Sequence, residues 1–151
     1  MVKIIDGNLF STNAEVICHQ VNCQGRMGSG VALQIKQNYP TVYKEYVAYC
    51  ATAPQKDLLG QAQGVLVNEN RIIYNLFGQE SYGYDGKTYT NIEALRNCFI
   101  TMKNNLPKEY KIAMPYGIGC VRGGADWSKV YKMIEEIFED REVELWRLNL
   151  G

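Results

Sequence analysis

Apolar residues recur along this chain in two periods. Short apolar and β-branched runs at positions 3–5, 14–21, 64–67, 71–77, 111–114 and 143–148 have the length of strands, and the second is apolar enough for the middle of a sheet. A helical period intervenes elsewhere. From Gly30, the positions Val31, Gln34 and Ile35 outline a short helix that must stop before Pro40, and Thr41 can cap a second helix carrying Val42, Tyr46, Tyr49 and Cys50. Thr90 and Glu93 have capping-box spacing ahead of the stripe Ile92, Leu95, Phe99 and Met102, and that helix ends before Pro107. Asp126 caps a last helix with the stripe Val130, Met133, Ile134 and Ile137. Positions 51–63 and 78–89 read as loops, and the turn at 68–70 makes its flanking strands a hairpin. Strands alternating with helices, plus one hairpin, predict an α/β fold. The sheet is expected to be mixed, mostly parallel and about six strands wide, flanked by helices on both faces, with ligands at the carboxyl ends of its strands.

Two glycine-rich segments fall at those strand ends. Gly25, Gly28 and Gly30 follow the second strand, and Gly117, Gly119, Gly123 and Gly124 follow the fifth, together half of the chain's 14 glycines. Glycine is costly to order, so such clusters mark places where backbone approaches a ligand and presents N–H groups to an anion. The first loop is not a Walker A sequence, because no Gly-Lys-Ser/Thr follows. Its glycine spacing also reverses that of the dinucleotide fingerprint. Two such loops suggest a clamp for a diphosphate.

Composition narrows the ligand. At 151 residues and 46% apolar content the chain fits a single domain, 1–151, without repeat or linker. The 16 basic and 16 acidic residues cancel, so nucleic acid is an unlikely partner and a nucleotide-sized ligand fits better. No signal peptide or membrane-length apolar run is present, and a cytoplasmic location without membrane association is expected. Five cysteines without metal spacing point to reduced thiols, with no disulfide, metal or other cofactor.

The run Asn22, Gly28, Ser29, Gly30, Val31, Ala32 resembles the macrodomain family, whose strand-Asn-loop-Gly-x-Gly-(Val/Ile)-Ala segment binds ADP-ribose. The resemblance extends to the opening Asp6 to Leu9, to Met114 and Pro115, and to the second loop ending in Asp126 and Trp127. Its closest branches are the terminal ADP-ribose glycohydrolase and antitoxin macrodomains and the yeast-type ADP-ribose-1″-phosphate phosphatases. The resemblance implies that Asn22 hydrogen-bonds the distal ribose and that Gly28, Ser29, Gly30 and Val31 line the diphosphate. Gly117, Ile118, Gly119, Cys120, Val121 and Arg122 would form the opposite phosphate wall. Asn8, beside Leu9, would read the adenine amino group where most of the family has aspartate. In the glycohydrolase branch a lysine attacks the anomeric carbon and an aspartate assists; the matching positions here hold Gln79 and Gly123. An amide cannot form a Schiff-base-type intermediate and glycine carries no carboxylate, so that covalent route is not expected.

Other candidates carry competing readings. His19 is the lone histidine and either a general acid or base or a structural side chain. Asp85, with Tyr82, Tyr84 and Tyr89, either folds over the ribose as a lid or sits in a solvated turn. Cys23 and Cys120 are nucleophiles or small buried hydrophobes, and Arg122 pairs with a phosphate or faces solvent. The leading function is hydrolysis of an ADP-ribose derivative, with ADP-ribose-1″-phosphate as first choice and Asn22, His19 and Asp85 as catalytic candidates. The alternatives are a water-mediated protein de-ADP-ribosylase or O-acetyl-ADP-ribose deacetylase, acting on ADP-ribosylated protein or free ligand, and a reader without chemistry.

Overall fold

A computed structural model describes residues 1–83, 85, 87–121 and 123–148. Its strands are β1 (Val2–Asp6), β2 (Val16–Asn22), β3 (Ala62–Asn68), β4 (Arg71–Gln79), β5 (Ile112–Pro115) and β6 (Val143–Arg147). They form a six-stranded sheet in the order β1-β6-β5-β2-β4-β3. Every neighbouring pair is parallel except the β3–β4 hairpin, as the alternation of strands and helices had predicted. The helices are α1 (Gly30–Asn38), α2 (Pro40–Cys50), α3 (Gln55–Leu58), α4 (Ile92–Asn104) and α5 (Trp127–Ile137).

Strand alternation divides the core in two. Val16 and Cys18 of β2 face α4 and α5, in a cluster with Leu95, Phe99, Val130, Met133 and Ile134. Ile17 and Val21 point the other way, against Ile35 of α1 and Val42 and Tyr46 of α2. Period-2 strands and period-3.6 helices thus meet on both faces. Fully burying Val130, Met133 and Ile134 contributes about 1.5–3 kcal/mol each and fixes α5 on the sheet.

Helix starts differ from the expected ones at two places. Proline takes the first turn of α2, where its missing N–H is no loss, so Tyr39 and not Thr41 is the cap. Asn91, not Thr90, caps α4, its Oδ1 accepting from Ala94 N at 3.0 Å. Thr90 is buried and used in tertiary contacts: its hydroxyl donates to the Gly119 carbonyl at 2.7 Å and its backbone bridges to Gln79. Within 51–63, read as loop, lie α3 and the start of β3. Asp126 caps α5 as expected, its carboxylate accepting from Ser128 N.

The connections place the site. The chain leaves β2 toward α1 on one face of the sheet and leaves β5 toward α5 on the other, although β2 and β5 are neighbours. A crevice opens between two such strand ends, and both glycine loops stand there.

Candidate functional site

A cavity of about 490 Å³ occupies this crevice, a volume suited to a nucleotide-sized ligand. The first loop contributes Asn22, Arg26, Gly28, Ser29, Gly30 and Val31 to its wall. The second contributes Gly117, Ile118, Gly119, Val121 and Gly123, and β4 contributes Gln79. Gly30 opens α1 at φ +60°, a left-handed conformation glycine adopts at little cost. The first N–H groups of α1 have no partner within the helix and lie at this wall, a favourable arrangement for an anion.

Asn22 is held from several sides. The Tyr46 hydroxyl lies 2.6 Å from its carbonyl oxygen and 2.9 Å from its Oδ1, and burial keeps that hydroxyl protonated and donating. Oδ1 also accepts from Gln24 N at 3.0 Å and Arg26 N at 3.4 Å, while Nδ2 donates to Arg26 O at 3.0 Å. One Nδ2 hydrogen remains for a ligand. The protein itself has engaged the acceptor, so donation is what this amide has left for a ribose hydroxyl.

On the other face of β2 stands Gln20, which the sequence analysis missed. Its Nε2 donates to Gln79 Oε1 at 2.7 Å and to Thr90 Oγ1 at 2.8 Å, clasping β4 to the second glycine loop through Thr90. Gln79 Nε2 in turn donates to Ser81 O. A Cβ on Gly123 would lie 1.9 Å from Thr90 Oγ1 and 2.5 Å from Gly119 O. No side chain fits there.

The remaining candidates divide plainly. His19 reaches the cavity wall, yet its ring is buried and Nε2 donates to Asn75 Oδ1 at 2.7 Å. Burial lowers its pKa from 6.5 to about 4, so the ring is neutral near pH 7 and its single N–H is spent on Asn75. Asp85 does not line the cavity; its exposed carboxylate accepts from the Tyr89 hydroxyl and from Lys87 N, which hold its pKa below the usual range. Nothing in that arrangement brings its carboxylate to the cavity. Asn8 and Leu9 also lie off the cavity wall, with Asn8 Oδ1 capping a single 3-10 turn and Leu9 buried in the core. Cys120 is off the wall too. Burial pushes its thiol up to about 11 and that of Cys23 to about 12, which removes the thiolate a nucleophile needs. Tyr82 and the exposed Val121 both stand at the wall. Arg122 and Tyr84 lie outside the described residues.

A second residue missed in sequence is Arg26. It lines the cavity, and the wall has no carboxylate among the described residues. Only its place inside the Gly-Arg-Met-Gly segment pointed toward it.

Fold and cavity together define an α/β domain with a nucleotide-sized cavity between two glycine loops. The Macro domain family model matches residues 18–134, and the chain belongs to that family. Over 149 residues it is 29% identical to a Thermus aquaticus protein named DNA ADP-ribosyl glycohydrolase, covering 97% of this chain and 40% of that one. This chain therefore spans two fifths of that relative's length. It is 23% identical over 176 residues to the ADP-ribose 1″-phosphate phosphatase of Saccharomyces cerevisiae, covering 97% of this chain and 98% of the relative. Among solved structures, the macrodomain of Thermus aquaticus DarG superposes with a TM-score of 0.77 at 26% identity, over 99% of this chain and 98% of that one. Thermosipho africanus DarTG in complex with ADP-ribose shares the fold, with a TM-score of 0.78 at 19% identity over 97% of this chain and 41% of that chain.

Proposed function

We propose that the protein binds ADP-ribose derivatives and hydrolyses them, with ADP-ribose-1″-phosphate as its substrate. The observation that carries this reading is the chemistry of the wall. It offers the first N–H groups of α1, the glycine-rich backbone of the second loop, an arginine, and amides, but no carboxylate and no lysine among the described residues. Such a wall suits a ligand rich in anionic oxygens. The crowding at Gly123 and the engagement of Gln79 support a route other than attack by a protein nucleophile.

In this reading the α1 N-terminus and the second loop hold the diphosphate, and the free Nδ2–H of Asn22 orients the distal ribose. A water attacks phosphorus and the P–O1″ bond breaks, its electron pair going to the sugar oxygen. The substrate's own phosphate oxygens accept the proton from water and a proton passes to that leaving oxygen, so orientation and backbone electrostatics supply the acceleration. Products are inorganic phosphate and ADP-ribose.

A second reading is favoured by the name of the Thermus aquaticus relative: water-mediated removal of ADP-ribose from a macromolecule. Incubation with ADP-ribose-1″-phosphate and, separately, with ADP-ribosylated protein and DNA separates the two. Phosphate release from the first supports the phosphatase, and ADP-ribose release from either macromolecule supports the second reading. Tight binding of ADP-ribose in calorimetry without turnover of any of them leaves a reader. The chain's place in the cell is proposed to be the cytoplasm, where free ADP-ribose derivatives and reduced thiols coexist.

A further inference from the structure

Five arginines lie among the described residues, and four are engaged by the protein itself. Arg71 donates to Ala14 O, Thr12 O and Tyr39 Oη; Arg141 donates to the carbonyls of Lys103 and Leu106. Arg147 pairs with Asp6 and Arg96 with Glu93. Arg26 is the exception. Its guanidinium has no hydrogen bond or ion pair among the described residues, and it stands on the wall of the cavity.

Its position is not left to chance. Both backbone groups of Arg26 are bonded to the Asn22 side chain, through Nδ2 to its carbonyl at 3.0 Å and from its N–H to Oδ1 at 3.4 Å. The next residue, Met27, is buried in the core cluster beneath α1 and α2. The loop therefore holds Arg26 at the Asn22 end of the cavity while leaving its side chain free. With no carboxylate on the described wall, nothing there neutralises it, and a guanidinium is built to grip a phosphate through paired N–H groups.

We propose that Arg26 is a specificity residue that selects ligands bearing a terminal anionic group beyond the diphosphate, on the distal ribose. The proposal rests on the reading that ADP-ribose derivatives occupy this cavity with the distal ribose at Asn22. The two glycine loops serve the diphosphate with backbone donors; Arg26 serves the added phosphate with a side chain. A charge-assisted arginine–phosphate contact is worth roughly tenfold or more in affinity.

The test compares two probes, ADP-ribose and its 1″-phosphonate, whose P–C bond water does not cleave, by calorimetry on the intact chain. The wild-type protein is expected to bind the phosphonate about tenfold more tightly than ADP-ribose. Arg26→Gln should bring that ratio close to one, and Arg26→Lys should retain part of it. Lys36→Gln removes an equal charge from a lysine lying over the Tyr43 ring, off the cavity wall, and should leave the ratio as it was. A ratio unchanged by Arg26→Gln overturns the proposal, whether both affinities fall together or neither does. A wild-type ratio near one, with ADP-ribose still bound, overturns it and leaves the ADP-ribose reading standing. Binding of neither probe overturns both.

Discussion

The Tyr46 hydroxyl on α2 reaches both oxygens of Asn22, 2.6 Å from the carbonyl and 2.9 Å from Oδ1. One buried tyrosine thereby sets the end of β2 and the start of the first glycine loop. Asn22 is in consequence an organiser of the loop as much as a ligand contact.

Tyr46→Phe keeps the ring in its packed position and removes the proton shared by those two oxygens. Taking that donor from the Asn22 carbonyl, while Oδ1 keeps Gln24 N and Arg26 N, should cost about 1 kcal/mol. ADP-ribose affinity should fall with it, since the loop loses its anchor. Thermal unfolding and calorimetry read both effects; an unchanged affinity would show that the loop is held by other contacts.

Three glycines should respond in two ways. A Cβ on Gly28 meets nothing within 4 Å, so Gly28→Val should fold normally while its side chain obstructs the cavity and abolishes ligand binding. Gly119 has φ +79° and a Cβ there would sit 3.1 Å from Gln20 Oε1 and 3.2 Å from Leu95 Cδ2. Gly119→Ala should therefore destabilise the fold itself, by about 1–3 kcal/mol. Gly123→Ala meets Thr90 Oγ1 and Gly119 O and should do the same. The comparison of melting temperatures with ligand titrations separates the two classes.

Gln79→Ala should change turnover of ADP-ribose-1″-phosphate by less than about tenfold, because an amide engaged by Gln20 and Ser81 is neither nucleophile nor base. Borohydride added during turnover should trap no protein–sugar adduct. Recovery of an adduct by mass spectrometry would restore a covalent route.

Stability should fall as pH drops from about 6.5 toward 4. His19 has its pKa lowered to about 4 by burial, so in that window the unfolded chain binds a proton that the folded chain refuses. More protons on the unfolded state means that stability rises with pH and is lost in acid, here by an order of 2–3 kcal/mol. Melting temperature measured across this range should show the loss in the wild-type protein and a smaller one in His19→Gln. An equal loss in both would assign the acid sensitivity to other groups.

Much of the scaffold was local enough to be legible in the chain. The strand runs, the stripe of α5, the Asp126 cap and both glycine loops depend on residues close in sequence, and the structure has them where periodicity and turn chemistry put them. Asn22 could be singled out because it ends a buried strand just ahead of a glycine loop. Tertiary structure decided what those residues do. Thr90 has the spacing of a cap, yet a glutamine seventy residues earlier and the Gly119 carbonyl claim its hydroxyl. His19 looked titratable until burial beside Asn75 made its charged form too costly. Asp85 looked like a lid carboxylate, and its own neighbours Tyr89 and Lys87 bind it outside the cavity. Arg26 was unremarkable among the arginines of the chain, because having no partner among the described residues is a property of the whole surface around a side chain. Sequence specifies which groups are available; only the folded arrangement determines which of them remain free for a ligand once the protein has satisfied its own buried polar atoms.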